Sequence, residues 1–317
     1  MDKYIYYAAI IAFLLHTIIS PFVIPILHKM KYGQEVRDDG PQSHLKKAGT
    51  PTMGGVIILL STIVTSLLFI ADNKDLQAVL FVTIGYGLIG FLDDYTKIVK
   101  KRSLGLTPIQ KIVGQLIVTV VFAYLLTYYI GLDTSILVPF SGGFMLDLGI
   151  IYYPFLVFAV VAIVNAVNLT DGLDGLAGSV TVLVATYFTA VAWAFESGVA
   201  PLAAATAGSL LGFLLFNSHP AKIFMGDTGS LALGGFVAAT AFLLKMPLFI
   251  LVIGIIYVLE TLSVVIQVGY YKKTQKRFFK MAPLHHHFEL SGWEETKVVS
   301  VFAIVTAIMC LVGFIAI

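Results

Sequence analysis

Ten apolar runs, each of roughly the length that a helix needs to cross a bilayer, dominate this chain. A membrane-spanning helix takes about 20 predominantly apolar residues, and it satisfies its own backbone hydrogen bonds in lipid. The pattern therefore predicts an all-α, polytopic integral membrane protein with about ten transmembrane helices and one domain over residues 1–317. The runs lie at residues 4–27, 50–70, 76–92, 110–130, 150–166, 176–195, 200–216, 230–246, 248–270 and 297–316.

The composition excludes several other classes of protein. Charged residues make up 12% of the chain and apolar residues 58%, whereas soluble domains carry about 25% charged residues. Low charge and high hydrophobicity also exclude a disordered chain. A net charge of +2 argues against nucleic-acid binding. Because Cys310 is the single cysteine, neither an intramolecular disulfide nor a cysteine-based metal site can form.

The basic residues divide unevenly when the segments between spans are assigned alternately to two sides. One side receives all but three of the 20 Lys and Arg residues, and the other receives Lys3, Lys74 and Lys245. Cytoplasmic loops carry the excess of Lys and Arg in membrane proteins. The split predicts that both termini lie outside and that five segments are cytoplasmic. These segments are 28–49, 93–111, 167–175, 217–229 and 271–297.

Four polar clusters lie on the same predicted cytoplasmic side. In the first, Lys97 follows two adjacent carboxylates at helical spacing, so it lies beside both of them. In the second, three polar residues recur every third position. The clusters are Phe91–Lys97 with Asp93 and Asp94, Asn165–Gly175 with Asn168, Asp171 and Asp174, Asn217–Ser230 with Asp227, and Ala282–Glu289 with His285, His286 and His287.

Each cluster also has an ordinary structural interpretation. A carboxylate pair at a helix end can be a solvated cap, Asp-Gly often marks a turn, and Gly-Asp-Thr-Gly-Ser can begin a helix. Together, however, carboxylates gathered near the bilayer would repel one another unless a cation neutralised them. Oxygen ligands favour Mg²⁺ or Mn²⁺, and basic residues can hold phosphates. The clusters predict metal-assisted phosphoryl transfer at the cytoplasmic surface, between a soluble phosphorylated substrate and a lipid.

At these residues the sequence resembles the phospho-N-acetylmuramoyl-pentapeptide-transferase family, over essentially the whole chain. The string Pro283–Glu289 separates this family from relatives that use UDP-N-acetylglucosamine. The other strings that carry the resemblance are Gly49–Gly55, Gly90–Lys97, Asn168–Leu176 and Phe224–Ser230.

The resemblance implies a reaction, a cofactor and a location. UDP-N-acetylmuramoyl-pentapeptide and undecaprenyl phosphate would give undecaprenyl-diphospho-N-acetylmuramoyl-pentapeptide and UMP. It further implies a Mg²⁺ requirement, a location in the bacterial cytoplasmic membrane and a capacity to form homodimers. We favour direct attack by the lipid phosphate, which is already ionised near neutral pH. A route through an Asp-linked intermediate stays open.

The resemblance also assigns roles to individual residues. Asp227 is the expected Mg²⁺ ligand, one of Asp93 and Asp94 is a candidate base, and Phe224 is the ring on which uracil would stack. The catalytic candidates are Asp93, Asp94, Lys97, Asp227, His286 and His287. The substrate-binding candidates are Lys47, Thr52, Lys111, Asn168, Asp171, Asp174, Asn217, Phe224, Gln267 and His285.

Three other functions compete with this interpretation. The nearest is a sister transferase that uses UDP-N-acetylglucosamine. A cation-coupled transporter would place its carboxylates near the midplane of the bilayer, whereas here they cluster at one face. An intramembrane protease with paired aspartates would need no nucleotide and would leave the basic loops unexplained.

Overall fold

A computed structural model of the protein describes residues 2–29, 49–100 and 105–317, and these residues are mostly helical. The longer helices are α1 (Asp2–Lys29), α2 (Gly55–Leu67), α3 (Lys74–Val99), α4 (Pro108–Tyr124), α5 (Tyr152–Thr170), α6 (Leu176–Ala194), α7 (Ala200–Asn217), α8 (Gly226–Leu243), α10 (Ile255–Thr274) and α12 (Glu295–Ile315). Two short helices, α9 (Ile250–Ile253) and α11 (Leu284–Glu289), complete the set in the described ranges.

Seven of these helices are long and apolar enough to cross a membrane, which agrees with a polytopic membrane protein. They are α1, α3, α4 with its π-helical continuation to Ile130, α5, α6, α7 and α12. An eighth span results if α9 and α10 are counted together. The helix α2 has only 13 residues, and α8 begins in the polar string Gly226–Ser230. The count of ten spans and the orientation stay predictions.

The run at 248–270, which the sequence analysis treats as one span, is broken. The segments Pro247–Ile253 and Ile255–Thr274 meet at an angle of 86°. A Cβ atom at Gly254 would lie 2.8 Å from the carbonyl oxygen of Ile250, so the bend needs a residue without a side chain. The apolar pattern of the sequence cannot reveal such a break, because the segments on both sides of it are hydrophobic.

A short antiparallel hairpin between α4 and α5 is the only sheet in the described ranges. Strand β1 (Ser135–Leu137) pairs with β2 (Met145–Asp147). The ammonium of Lys245, just after α8, donates to both carboxylate oxygens of Asp133 at 2.8 Å. Hydrogen bonds from Lys245 and Ser135 hold the pKa of Asp133 down at about 2. The hairpin is thereby fixed to the adjacent end of the helix bundle.

The helix α8 forms the centre of the bundle. Every residue from Thr228 to Leu243 is buried, as expected for a helix that is apolar on all sides. Neighbouring helices approach its first turn at backbone contact distance. A Cβ atom at Gly90 of α3 would lie 2.1 Å from the carbonyl oxygen of Asp227, and one at Gly55 of α2 would lie 2.0 Å from the amide nitrogen of Gly229. Glycines allow this close packing.

The outer surface of the bundle is apolar. On α1, Ile10, Leu14, Ile18 and Phe22 are all exposed. Because they are spaced by four residues, they form one face of the helix. A continuous apolar surface of this kind is typical of contact with lipid or another protein, and it fits the hydropathy of the helices.

Contacts between chain segments define the two ends of the bundle. At one end, Asn73 and Asp75, at the start of α3, hydrogen-bond to Gly198 and Ser197 between α6 and α7. The opposite end contains the end of α3 and the beginnings of α4 and α8, joined by ion pairs of Lys97 and Lys111 with Asp227. Segments that the charge pattern assigns to one side of the membrane therefore meet at one end of the molecule.

Candidate active site

Asp227, in the first turn of α8, is the centre of a hydrogen-bonded cluster. Its Oδ2 accepts from the ammonium of Lys97 at 3.0 Å and from that of Lys111 at 2.7 Å, and its Oδ1 accepts from Asn168 Nδ2 at 2.9 Å. Thr107 caps α4, which places Lys111 in the first turn of that helix. Four helices, α3, α4, α5 and α8, therefore each contribute one side chain to these contacts.

Asp93 and Asp94 lie in the last two turns of α3, and both are buried with 3% of their surface exposed. Asp94 accepts hydrogen bonds from the backbone amides of Asp227 (3.2 Å) and Thr228 (2.9 Å) and from the Thr228 hydroxyl (2.7 Å). It thus caps the first turn of α8, where a negative charge is stabilised by the helix dipole. Asp93 lies 2.6 Å from the Lys97 ammonium and accepts from the amide of Leu106 at 2.9 Å.

This arrangement fits a divalent cation with oxygen ligands. One carboxylate oxygen each from Asp93, Asp94 and Asp227 can be chosen so that all three lie within 4.8 Å of one another. With all three carboxyl groups ionised, they outnumber the two ammonium groups, and a bound cation would balance the excess negative charge. Mg²⁺ prefers this type of ligand, usually one or two carboxylates together with phosphate oxygens.

Asp171, the residue after α5, faces the same cluster. Burial, together with the nearby charges of Asp227, Asp94 and Asp174, raises the pKa of Asp171 to about 8. That Asp94, Asp171 and Asp227 form one site stays a prediction, and the influence of the nearby charges on Asp171 agrees with it. The structure places all three close enough for their charges to interact.

Asp174 ties three loops together at the edge of the site. Its Oδ2 accepts from the amide of Ala221 and lies 3.1 Å from Nδ1 of His219. Its backbone amide donates to Oε1 of Glu295 at 2.6 Å. The first turn of α12 and the segment between α7 and α8 are thereby joined to the loop that precedes α6.

Thr52 and Phe224 lie where the segment before α2 meets the segment before α8. Phe224 donates its amide to the carbonyl of Pro51 and accepts from the amide of Gly54, both at 2.8 Å, and its ring is half-buried. A Cβ atom at Gly226 would lie 2.9 Å from the Thr52 hydroxyl and 2.7 Å from Asp94 Oδ2. Lys47 lies outside the described residues.

Two predicted substrate-binding amides, Asn217 and Gln267, hydrogen-bond to loop backbones. Asn217 is 3% exposed; it accepts from the amide of Gly175 and donates to the carbonyl of Ile223. Gln267 Oε1 accepts from the amides of Phe278 and Phe279 at 3.1 and 2.9 Å. Both side chains fix the shape of loops around the site.

The three histidines of α11 have different surroundings. His285 is fully buried and contacts Glu260, whereas His286 Nδ1 lies 3.0 Å from Glu289 and His287 Nδ1 accepts from the amide of Lys280. The helix packs against Gly172, because a Cβ atom there would lie 2.1 Å from His285 Nε2. The structure thus places α11 against the loop that carries Asp171.

The sequence analysis missed several residues of the site. Ser230 accepts from Asn168 Nδ2 at 2.7 Å; it ends the string Phe224–Ser230, but the sequence analysis gave it no role. His219 and Glu295 meet only through the fold. Glu260 is different, because it is an ionisable residue inside an apolar run and is completely buried. A charge at membrane depth is costly and usually marks function. The sequence therefore did carry a signal that could have identified Glu260.

Sequence comparisons agree with this geometry. A profile of glycosyl transferase family 4 matches residues 76–245, and signature 1 of phospho-N-acetylmuramoyl-pentapeptide-transferase matches residues 47–59. Proteins of that name include one from Clostridium kluyveri (52% identity, 98% of both chains), one from Clostridium perfringens (50%, 99% of both) and one from Alkaliphilus oremlandii (53%, 98% of this chain and 97% of the relative). This chain belongs to the phospho-N-acetylmuramoyl-pentapeptide-transferase family.

Proposed function

We propose that the protein transfers phospho-N-acetylmuramoyl-pentapeptide from UDP-N-acetylmuramoyl-pentapeptide to undecaprenyl phosphate and releases UMP. The observation that carries the proposal is the convergence of Asp93, Asp94 and Asp227 with Lys97 and Lys111. Phosphoryl transfer depends on positioning and charge neutralisation more than on covalent protein chemistry. This cluster supplies both at one end of an apolar bundle.

Mg²⁺ is the proposed cofactor, with Asp227 as its principal ligand and Asp93 and Asp94 beside it. When bound, it would neutralise charge on the diphosphate of the nucleotide substrate. Lys97 and Lys111 would contact phosphate oxygens, since charge-assisted hydrogen bonds to phosphate are strong. Asn168 holds Asp227 Oδ1 in place for this role.

Direct attack by the lipid phosphate is the proposed route. An oxygen of undecaprenyl phosphate forms a bond to the β-phosphorus while the bond from that phosphorus to the oxygen bridging to UMP breaks. Both Asp93 and Asp94 already accept hydrogen bonds in the structure, which favours roles in charge placement over attack on phosphorus. A burst of UMP, equal to one per enzyme without any lipid acceptor, would overturn direct attack in favour of a covalent intermediate.

The remaining candidates surround this centre in the proposal. Phe224 would stack on uracil, with Lys47, Thr52, Asp174 and Asn217 around the nucleotide. Asp171, Gln267 and the histidines of α11 would shape the diphosphate and sugar region. We further propose ten spans with both termini outside, the site at the cytoplasmic face of a bacterial inner membrane, and a homodimer of single-domain chains.

The decisive experiment uses the purified chain with radiolabelled UDP-N-acetylmuramoyl-pentapeptide and undecaprenyl phosphate, with Mg²⁺ and with a chelator. We expect a labelled lipid product only when the divalent cation is present. A parallel reaction with UDP-N-acetylglucosamine tests the sister activity. Product from that sugar alone would overturn the substrate assignment, and product in the chelator would overturn the metal assignment.

Asp227→Asn tests the centre of the cluster. We expect kcat to fall by about 100-fold or more, in the range found when one group that stabilises transition-state charge is removed. The matched control is Asp147→Asn, which changes an exposed carboxylate in strand β2. Turnover near that of the unmodified protein at ordinary Mg²⁺ would refute the role of Asp227, and thermal unfolding in detergent verifies that both variants fold.

A further inference from the structure

A fully buried carboxylate and a fully buried imidazole form a pair between α10 and α11. Glu260 and His285 each have 0% of their surface exposed. Oε1 of Glu260 accepts from the backbone amide of His285 at 3.1 Å, and Oε2 lies 3.0 Å from Nδ1 of the same residue. Both oxygens of one carboxylate therefore hold a single histidine, through its main chain and its ring.

This pairing fixes which ring nitrogen carries the proton. Beside an ionised carboxylate, which only accepts hydrogen bonds, Nδ1 carries the proton and donates to Glu260. The partner of one ring nitrogen determines the state of the other. Nε2 of His285 is consequently directed away from α10 with a defined orientation.

Nε2 of His285 is buried and has no hydrogen-bond partner within the described residues. It faces Gly172, where an added Cβ atom would lie 2.1 Å from Nε2, 2.5 Å from Cε1 and 3.1 Å from Cδ2 of the same ring. Gly172 follows Asp171, whose carboxylate interacts with the charges of Asp227 and Asp94. The imidazole edge thus packs against the turn that presents Asp171 to the cluster.

Packing alone does not account for this pair. An apolar pair of similar volume would fill the same space without burying a charge, and such replacements are often neutral or stabilising. What a carboxylate and an imidazole add is a fixed ring orientation. Two helical turns along α10, Gln267 holds the amides of Phe278 and Phe279, so the same helix anchors both α11 and the segment before it.

We propose that Glu260 is a positioning residue for the transfer reaction. Through His285 it holds the turn at Asp171 and Gly172, so that the Asp171 carboxylate faces Asp227. The inference rests on the proposed function, because the effect of Glu260 is measured as turnover in that reaction. The chemistry it serves is placement of charge around a diphosphate substrate.

Glu260→Gln is the principal test, because it keeps the shape and removes one acceptor. The amide can accept from the backbone N–H of His285 only by donating its NH₂ to Nδ1, so the ring must carry its proton on Nε2. We expect kcat to fall about 10–100-fold, as for outer partners that orient a functional histidine, with KM for the nucleotide substrate nearly unchanged. Unchanged kcat would overturn the proposal.

A double-mutant cycle distinguishes positioning from general stabilisation. If Glu260 acts through His285, the double variant Glu260→Gln/His285→Ala has the kcat of His285→Ala alone. Multiplied losses would overturn the proposal. The matched control is Thr261→Val, the next residue on α10, whose buried hydroxyl has no hydrogen-bond partner within the described residues; we expect its kcat to match the unmodified protein.

Two measurements remain informative if His285→Ala does not fold or if the unmodified protein makes no lipid product. The ¹⁵N shifts of His285 should report protonation at Nδ1 in the unmodified protein and at Nε2 in Glu260→Gln. Amide hydrogen exchange at residues 171–173 should accelerate in Glu260→Gln and stay unchanged in Thr261→Val. Absence of product refutes the proposed function, whereas an unshifted tautomer or unchanged exchange refutes the role of Glu260.

Discussion

The carboxylate of Asp94 serves the fold and the site together. It accepts three hydrogen bonds from Asp227 and Thr228, and Met225, the residue before α8, supplies no capping side chain. Because α8 begins with its amides directed at this carboxylate, the position of Asp227 depends on Asp94. Loss of the Asp94 charge would therefore disturb the geometry of the cluster as well as its electrostatics.

Asp171 gives the site a dependence of stability on pH that can be measured without substrate. Its pKa is about 8 in the folded protein, against about 3.9 for an unperturbed aspartate. When the pKa of a carboxyl group is higher in the folded than in the unfolded protein, its contribution to stability is fully present below the pKa of the unfolded protein. That contribution is lost as pH rises from about 4 to about 8. We expect Asp171→Asn, which stays neutral, to gain thermal stability relative to the unmodified protein across that window.

The measurement is thermal unfolding in chelator at several values from pH 5 to pH 9. The difference in Tm should grow up to about pH 8 and then level off. Asp147→Asn is the control, because hydrogen bonds from Thr134 and Gly149 lower the pKa of that carboxyl group. A difference that is constant from pH 5 to pH 9 would show that Asp171 ionises normally.

At the scale of elements, the site depends on how closely α2 and α3 approach α8. The sequence predicted that Lys97 lies beside Asp93, because four residues make one helical turn. It could not predict that Lys111 reaches Asp227, since that contact depends on the packing of α4 near α8. Local spacing therefore identified charged groups of the cluster, whereas their distances follow from glycine contacts such as Gly90 against the backbone of Asp227.

Gly90→Ala tests this close approach. The added methyl group would lie 2.1 Å from the carbonyl oxygen of Asp227, a backbone atom, so α3 and α8 must separate. Overpacking of this kind costs about 1–3 kcal/mol, occasionally more, and we expect a lower Tm together with loss of turnover.

The matched control for Gly90→Ala is Gly269→Ala. That glycine lies in α10, and an added Cβ atom there would meet nothing within 4 Å in the described structure. Alanine is favoured over glycine inside helices by about 1 kcal/mol, so Tm should hold or rise. Equal effects of the two substitutions would show that the approach of α3 to α8 does not control the site.

At the scale of the whole molecule, alternation of apolar runs predicted which segments meet. The segments around Lys97, Asn168 and Asp227 do converge at one end of the bundle. The break at Gly254 and the hairpin of β1 and β2 were not predicted, because the first lies inside an apolar run and the second between two runs. Hydropathy reports where a chain is apolar, and it carries no information about bends or connections.

The orientation of the bundle is the last prediction. Since Lys97 and Lys111 lie at the end that carries the site, the positive-inside rule predicts that this end faces the cytoplasm. Single cysteines at Lys276 and at Phe144, exposed positions at the two ends, can be introduced in a Cys310→Ala background. In intact spheroplasts, a membrane-impermeant maleimide should label Phe144→Cys immediately and Lys276→Cys only after permeabilisation. The reverse pattern would place the carboxylate cluster outside, where a cytoplasmic nucleotide sugar could not reach it.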